Sequence, residues 1–149
     1  MKIAVDEAPF SPWEALAQYE RDVVQPAFPG KFGAAATFIG TMRDFNEGDG
    51  VHAMTLEHYP GMTEKQLQLI LDEAFNKWKL LDALLLHRVG ELKPQEPIVL
   101  VAVWSAHRKD AFEACRHIME ALKSRAPFWK KEQLDGGAGR WVEKNSDGY

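Results

Sequence analysis

The segment from Thr63 to Trp78 carries apolar residues at helical spacing, and this pattern constrains the fold more than any other part of the chain. Its apolar positions form one stripe on a 3.6-residue period: Leu67, Ile70, Leu71, Ala74, Phe75 and Trp78. A second amphipathic helix is predicted from about Lys109 to Ser124, ended by Pro127. Both stripes have to be buried against another layer of structure.

Four segments of strand length can supply that layer. Ala83–Val89 and Ile98–Trp104 are apolar runs, whereas Ala34–Met42 and Val51–Tyr59 flank a polar loop and are predicted to pair as a hairpin. Residues 128–142 read as two short extended pieces around the glycine-rich turn 136–139. Helices and strands therefore alternate along the chain, but the expected hairpins make its sheet largely antiparallel.

The first 30 residues add one more helix. Ser11 is its predicted N-cap, Pro12 its first residue and Glu14 the partner that closes a capping box. The helix is expected to end near Val24, ahead of Pro26. Taken together, these elements predict an α+β fold in a single domain over residues 1–149: a two-layer sandwich with a largely antiparallel sheet, hammerhead-like, and a small C-terminal β extension.

The cysteine content and the N-terminus bear on the compartment. Cys115 is the single cysteine, so no internal disulfide can form and a reducing compartment is expected. The N-terminal residues have two acids where a signal peptide needs an apolar run. The longest apolar runs fall far below the ~20 residues that span a bilayer. The sequence therefore predicts a soluble cytoplasmic protein without a membrane partner.

Positive charge is concentrated in one part of an acidic chain. The formal net charge is -4, yet residues 105–131 hold seven basic and three acidic side chains, so that segment is +4 and the remainder -8. A basic island on an acidic body suits a discrete anionic ligand better than a nucleic acid. A solvated helix face is the alternative interpretation of the same charges.

Two places within that basic segment are candidates for chemistry. Ser105, His107 and Arg108 precede the second helix, where unpaired backbone N–H groups and a guanidinium favour a phosphate; a plain capped helix is the alternative. Lys123 ends the helix beside Phe128, Trp129 and Lys130. Aromatic and cationic neighbours lower a lysine pKa and make the amine reactive, although lysines also occur at helix C-termini simply because they complement the macrodipole.

Other motifs are absent or point to structure. The chain has no GxxxxGK[ST], HExxH or paired CxxC motif, so no cofactor and no metal are predicted. Glu113 and His117 are four residues apart on a helix, a spacing more often seen in surface contacts. Cys115 lies on the apolar stripe and is interpreted as a core residue. His58 and His87 fall within strand-like runs and are interpreted as structural or half-exposed rather than catalytic.

At these positions the chain resembles the large subunit of molybdopterin synthase, the MoaE family. The matching segments run in order from about Phe32 to Glu143: residues 40–46 (GTMRDFN), 56–62 (LEHYPGM), 105–108 (SAHR), 122–132 (LKSRAPFWKKE) and 140–143 (RWVE). Each segment alone is weak, but their order and spacing are specific.

The resemblance implies a reaction and its partners. The family transfers sulfur to cyclic pyranopterin monophosphate, a pterin phosphate, and forms the dithiolene of molybdopterin. The sulfur arrives on a small ubiquitin-like subunit whose C-terminal Gly-Gly is a thiocarboxylate. By resemblance, the catalytic residues are Lys123 and Lys130, and Arg140 reaches toward a neighbouring subunit. The residues implied to bind substrate are Thr41, Met42, Arg43, His107, Arg108, Lys131, Glu132 and Arg140.

The resemblance also implies a central dimer of large subunits. A surplus of aromatic residues supports self-association: Trp13, Phe38, Trp104, Trp129 and Trp141. Two other functions stay open on the residues alone. One is an enzyme that acts on a phosphorylated heterocycle without a protein partner, and the other is a binding module that has lost activity. The role of Lys123, as acid–base catalyst or covalent nucleophile, also stays open.

Overall fold

The computed structural model describes residues 1–142. The last seven residues of the predicted single domain, 143–149, lie outside the described part. The helices are α1 (Pro12–Tyr19), which continues through a π-helical turn (Glu20–Val24) into α2 (Gln25–Ala27), then α3 (Met62–Lys77) and α4 (Arg108–Arg125). The strands are β1 (Lys2–Asp6), β2 (Ala34–Thr41), β3 (Phe45–Asn46), β4 (Asp49–His58), β5 (Leu80–Arg88), β6 (Gly90–Leu92), β7 (Pro97–Ser105), β8 (Phe128–Leu134) and β9 (Gly139–Trp141).

The first sheet has the strand order β1-β5-β7-β2 and is antiparallel except for the parallel pair β1 and β5. The side chains of β7 point alternately to the two faces of the sheet, and both faces are covered. Val99, Val101 and Val103 pack with α3 and α4, and the intervening residues pack against the N-terminal helix. The α+β class with a largely antiparallel sheet is confirmed, and α3 and α4 on this sheet form its sandwich.

The predicted hairpin between the second and fourth strands is wrong. Strand β2 pairs with β7, whose apolar length needs a neighbour on each side, while β4 pairs with β8, β6 and the short β3. The hairpin that does form joins β3 to β4 through Glu47 and Gly48. Both turn residues have positive φ (53° and 83°), as a two-residue type I′ turn requires.

The N-terminal helix differs from its prediction at both ends. Ser11 is the N-cap and Pro12 the first residue, but no side-chain bond closes a capping box with Glu14. The helix does not end before Pro26. A π-helical turn lets the Gln25 N–H donate to the Glu20 carbonyl five residues back. Pro26, which has no N–H to donate, follows this wider turn and lies within α2.

Two side chains at this widened turn reach the first sheet. The Glu20 carboxylate accepts from Trp104 Nε1 at 2.9 Å, and the Tyr19 hydroxyl donates to the buried Asp82 at 3.1 Å. Trp104 is thus completely buried, and its ring is tilted by 40° to that of Tyr19, with ring centroids 5.6 Å apart. Its inclusion among surplus surface aromatics was therefore wrong, because the even positions of β7 face the N-terminal helix.

The second sheet has the order β3-β4-β8-β9. Strand β6 pairs with β4 on the edge that faces away from β8. The two predicted extended pieces around the turn at 136–139 are β8 and β9 and are confirmed. Strand β8 begins three residues after α4 ends, so the end of α4, the first sheet and the second sheet meet at one place. Phe128 packs against the cores of both sheets at this junction.

Candidate active site

Lys123 and Lys130 are brought together by the turn that follows α4. Ala126 is extended (φ -74°, ψ 134°) because the residue before a proline avoids the helical region. The chain reverses at Pro127 and enters β8, and this returns Lys130 to the last turn of α4, where the two lysine side chains contact each other. The predicted juxtaposition of the two lysines is confirmed.

Burial at this turn alters the chemistry of Lys123. Desolvation lowers its pKa to about 7, and the charge of Lys130 and a hydrogen bond with it act in the same direction. A substantial fraction of Lys123 is therefore a neutral amine near pH 7, whereas an exposed lysine is almost fully protonated there. A neutral amine can accept a proton or attack an acyl carbon.

The lysine pair, Lys123 and Lys130, lies between two cavities. The first, of about 410 Å³, also contains Thr41, Met42, Arg43 and Glu132 among its lining residues. The second, of about 270 Å³, is lined on its other sides by His87, Phe128 and Trp129. Six of the predicted site residues therefore share one cavity: Thr41, Met42, Arg43, Lys123, Lys130 and Glu132.

The loop after β2 presents Arg43 to the first cavity. Met42 is buried and held by two backbone bonds, since its N–H donates to Glu96 O (3.0 Å) and its carbonyl accepts from Gln95 N–H (2.8 Å). Arg43 is exposed, with its guanidinium 4.9 Å from the centroid of the Phe45 ring. An exposed guanidinium at a cavity wall suits a phosphate group.

Glu132 and Arg140 are joined in an ionic network. Glu132 is buried, and its Oε1 accepts from Arg140 Nε and from Asn46 Nδ2, each at 3.1 Å. Arg140 also donates to Asp49 Oδ2 at 2.8 Å and to the Asn46 carbonyl at 2.9 Å. In the single chain, Arg140 therefore ties β9 to the β3–β4 turn, and its N–H groups are directed at its own chain.

Lys131 points away from the first cavity. Side chains alternate along β8, so Phe128, Lys130 and Glu132 face inward and Lys131 faces solvent. Its Nζ is 5.8 Å from the ring centroid of Trp141, which is half exposed. Lys131 therefore lies on the opposite face of β8 from Lys130 and Glu132, which the sequence had placed in the same site.

His107 and Arg108 are at the opposite end of α4. His107 is the N-cap of this helix, with the Ser105 hydroxyl donating to its carbonyl at 2.6 Å, and both His107 and Arg108 are exposed. The predicted helix start is confirmed. Fifteen residues separate Arg108 from Lys123 along the helix, which at 1.5 Å per residue is about 22 Å. One chain does not bring these two groups into one site.

The remaining candidates take the structural positions that were predicted for them. Cys115 is buried in the core between the first sheet and α4, and this burial raises the pKa of its thiol to about 11. His58 is half buried, with Nε2 3.7 Å from Glu64. Glu113 accepts from Trp78 Nε1 at 2.9 Å, whereas His117 lies 3.8 Å from Glu73, so this pair does not converge.

His87 lies in the second cavity, a position that the sequence interpretation did not predict. It is buried, stacked on Phe128 with ring centroids 4.0 Å apart, and it lines the second cavity with the lysine pair. The available signal was its alternation with Ala83 and Leu85, which places all three on the face of β5 that α3 and α4 cover. A histidine that continues the buried face of Ala83 and Leu85 is expected to be buried as well.

Residues 1–142 contain no group of three or more His, Cys, Asp or Glu side chains arranged to hold a metal ion. Within the same range, no helix has the length and apolar character needed to cross a membrane.

Known proteins resemble this chain over most of its length. The molybdopterin synthase catalytic subunit of Ralstonia nicotianae is 62% identical over 113 residues, which are 76% of this chain and 64%, less than two thirds, of that relative. The subunit of the same name from Escherichia coli K12 is 51% identical over 147 residues, 95% of this chain and 89% of the relative. The molybdopterin biosynthesis MoaE protein from Burkholderia ambifaria superposes with a TM-score of 0.76 at 44% identity, covering 99% of this chain and 92% of that one.

The family model agrees with these relatives. A model described as MoaE protein matches residues 5–125, from β1 to the end of α4. The match includes Arg43 and Lys123, and the longer alignments extend over the strand that carries Lys130. On the family model, the identities and the shared fold, the chain belongs to the MoaE family.

Proposed function

We propose that this chain is the catalytic subunit of a molybdopterin synthase. It transfers sulfur from the thiocarboxylated C-terminus of a small ubiquitin-like partner to cyclic pyranopterin monophosphate; two of its relatives are named molybdopterin synthase catalytic subunits. The observation that carries this proposal is the lysine pair: Lys123, with its pKa lowered to about 7, faces a cavity that also contains Arg43. The protein needs no reactive cysteine because the partner carries the sulfur.

The reaction requires both a base and cations. The thiocarboxylate sulfur forms a bond to a side-chain carbon of the pterin, and a C–O bond at that carbon breaks, so that the oxygen leaves as water or stays on the phosphate. Addition of water then breaks the acyl–sulfur bond, leaving a carboxylate on the partner and a thiolate on the pterin. Neutral Lys123 takes a proton released in these steps, and Lys130 stabilises the anionic intermediates. A second partner tail supplies the second sulfur of the dithiolene.

The pterin phosphate is assigned to the first cavity. Its volume of about 410 Å³ falls within the usual range for small-molecule sites. Arg43 binds the phosphate there, and Thr41, Met42 and Glu132 complete the walls. The second cavity, which ends at Phe128 and Trp129, takes the glycine-rich partner tail next to the lysine pair.

A second copy of the chain is proposed to complete the site. His107 and Arg108 are about 22 Å from Lys123 within one chain, so they can act on the same substrate only from another protomer. Strand β2 ends the first sheet, and beside it a cavity of about 720 Å³ is bordered by the exposed Phe38 and Phe112. We place the dimer contact at this apolar edge. Sedimentation at micromolar concentration in the absence of the partner should show a dimer.

The compartment follows from the same chemistry. Cys115 has no disulfide partner, and a thiocarboxylate survives where thiols stay reduced. We therefore assign the protein to the cytoplasm.

Reconstitution tests this function. The purified chain is mixed with a thiocarboxylated partner and the pterin substrate, and the dithiolene product is measured by mass spectrometry. Two sulfur atoms should be transferred for each pterin, with two partner tails converted to carboxylates. Turnover of the pterin without the partner would support the independent enzyme instead. Tight partner binding without any product would support the inactive module.

A further inference from the structure

We infer that His87 is a positioning residue for Lys123: its neutral imidazole presents Nε2 as a hydrogen-bond acceptor to the lysine pair. This inference deepens the proposed function and rests on it for the role of Lys123. The imidazole holds the end of a flexible lysine side chain at one place in the cavity without adding charge.

The position of His87 follows from the alternation of β5. Ala83, Leu85 and His87 point to the face that α3 and α4 cover, and His87 is the last of the three, beneath the C-terminal turn of α4. It therefore lines the cavity of about 270 Å³ together with Lys123 and Lys130. Apart from these two lysines and Ser124, the other residues that line this cavity are apolar or aromatic.

Hydrogen bonding selects one tautomer of the ring. Nδ1 of His87 lies 2.7 Å from the carbonyl oxygen of Arg88, which can only accept a hydrogen bond. Nδ1 therefore carries the proton, and Nε2 keeps a lone pair. Stacking on Phe128 at 4.0 Å and an interplanar angle of 12° fixes the plane of the ring. These two contacts direct the lone pair and leave the ring no freedom to turn.

Burial and the neighbouring side chains keep His87 neutral. Lys123 faces it from α4, Lys130 from β8 and His58 from β4. Burial is the largest cause that lowers the pKa of His87 to about 3; the hydrogen bond to the Arg88 carbonyl opposes it, and the three neighbours lower the pKa further. The ring is thus neutral near pH 7 and keeps its acceptor.

A neutral acceptor suits this lysine better than a carboxylate would. A carboxylate beside Lys123 would stabilise the ammonium and raise its pKa back toward 10.5. An imidazole accepts a hydrogen bond from the ammonium with a smaller effect on the pKa. His87 therefore orients the Lys123 amine while burial and Lys130 keep its pKa near neutrality.

The test measures Lys123 directly. Competitive acetylation with a trace of acetic anhydride across pH, read by peptide mass spectrometry, reports the Lys123 pKa without any turnover. In His87→Phe the stack on Phe128 is retained and the acceptor is lost, so the acid dissociation constant of Lys123 should rise about tenfold. His87→Gln keeps an acceptor near the Nε2 position and should stay within about twofold of the original protein.

Turnover gives a second readout. The kcat of His87→Phe should fall about tenfold or more, with KM unchanged, because a positioning contact acts on the chemical step. His52→Phe is the matched control, since His52 is exposed and paired with Asp135 outside both cavities. This control should leave the Lys123 pKa and kcat unaltered.

Three results would overturn the inference. The first is an unchanged Lys123 pKa in a folded His87→Phe variant, and the second is an equal shift in the Phe and Gln variants. The third needs no variant: nitrogen NMR of the unmodified protein should show Nδ1 protonated and Nε2 unprotonated at pH 7, and the reverse would exclude an acceptor role. Because acetylation and NMR need no substrate, failure of sulfur transfer would reject the proposed function without deciding this inference.

Discussion

The two ends of helix α4 carry similar side chains in different surroundings. At the N-terminal end, His107 and Arg108 follow β7 directly and extend into solvent. At the C-terminal end, the chain folds back at Pro127, and β8 covers Lys123 and places Lys130 against it. Charge is present at both ends, but only the C-terminal end removes its lysine from water. Reactivity at this helix therefore arises from the path of the chain beyond it.

The largest effect is expected at the buried end. Lys123→Ala should lower the rate of molybdopterin formation about 10²- to 10⁴-fold, because the proton acceptor is lost. Lys123→Arg should fail almost as badly, since a guanidinium keeps the charge but cannot give up its proton. Lys130→Ala should be impaired less, through positioning and charge. Single-turnover product formation measures all three.

Lys109→Ala is the control for these variants, because it removes an exposed lysine from the other end of the same helix. Its rate should stay within about twofold of the original. Circular dichroism and partner binding should be unaltered throughout. A Lys123→Arg variant with near-normal turnover would falsify the acid–base or covalent role and leave only electrostatic binding.

The next largest effect concerns the phosphate. Arg43→Ala and Arg108→Ala should each weaken substrate binding, because a charge-assisted contact is worth about 1.5–3 kcal/mol, or about 10- to 150-fold in affinity. Titration calorimetry with the pterin phosphate measures this change. Arg21→Ala removes an exposed guanidinium that pairs with Asp22, and it should bind normally. Unchanged affinity in both test variants would reject the phosphate assignment.

Stability should depend on the lysine at the buried end of α4 and hardly at all on the arginine at the exposed end. The pKa of Lys123 is about 7 in the folded chain and near 10.5 when exposed, so the unfolded state binds more protons between these values and stability rises with pH there. Lys123→Met removes this cost and should stabilise the protein by on the order of 2–4 kcal/mol below pH 7. The gain should shrink as the pH approaches 10.5.

Arg108→Met at the exposed end should change the free energy of unfolding by less than about 0.5 kcal/mol at any pH. Urea denaturation at several pH values measures both variants. A Lys123→Met protein that is less stable than the original at pH 6 would show that the lysine is better solvated than its position indicates.

The smallest expected signal asks whether the two ends meet in a dimer. Mixing Lys123→Ala with Arg108→Ala by joint refolding should restore about a quarter of the original sites, because half the dimers are mixed and each contains one intact site. Mixing Lys123→Ala with Lys130→Ala should restore none, since both lysines come from the same chain. Equal recovery in the two mixtures would contradict a site built from two protomers.

The sequence predicted those features that depend on local spacing. Each of these features depends on a segment of at most about 20 residues: the stripes of α3 and α4, the apolar run of β7 and the reversal at Pro127. The lysine pair was predictable for this reason, because only seven residues separate its members. The continuation of the helix through Pro26 was not predictable in this way. The π-helical turn there is held by contacts with Asp82 and Trp104, which lie far along the chain.

Features that depend on long-range pairing were missed. Strand β2 lies closer in sequence to β4 than to β7, yet the buried length of β7 decides the pairing. His87 was interpreted as structural because the lysines that share its cavity come 36 and 43 residues later in the chain. The position of Arg140 among carboxylates likewise requires that β9 and the β3–β4 turn already be side by side.

The lysine pair borders two cavities, and this arrangement has a kinetic consequence. On the proposed function, the partner tail occupies one cavity and the pterin the other, so the two reactants reach the lysine pair from different cavities. The two can then bind in either order and form a ternary complex before any bond changes. A spent tail can also be exchanged for a fresh one while the half-converted pterin stays in place, so that the second sulfur is added processively and the monothiolated compound is not released to the solvent.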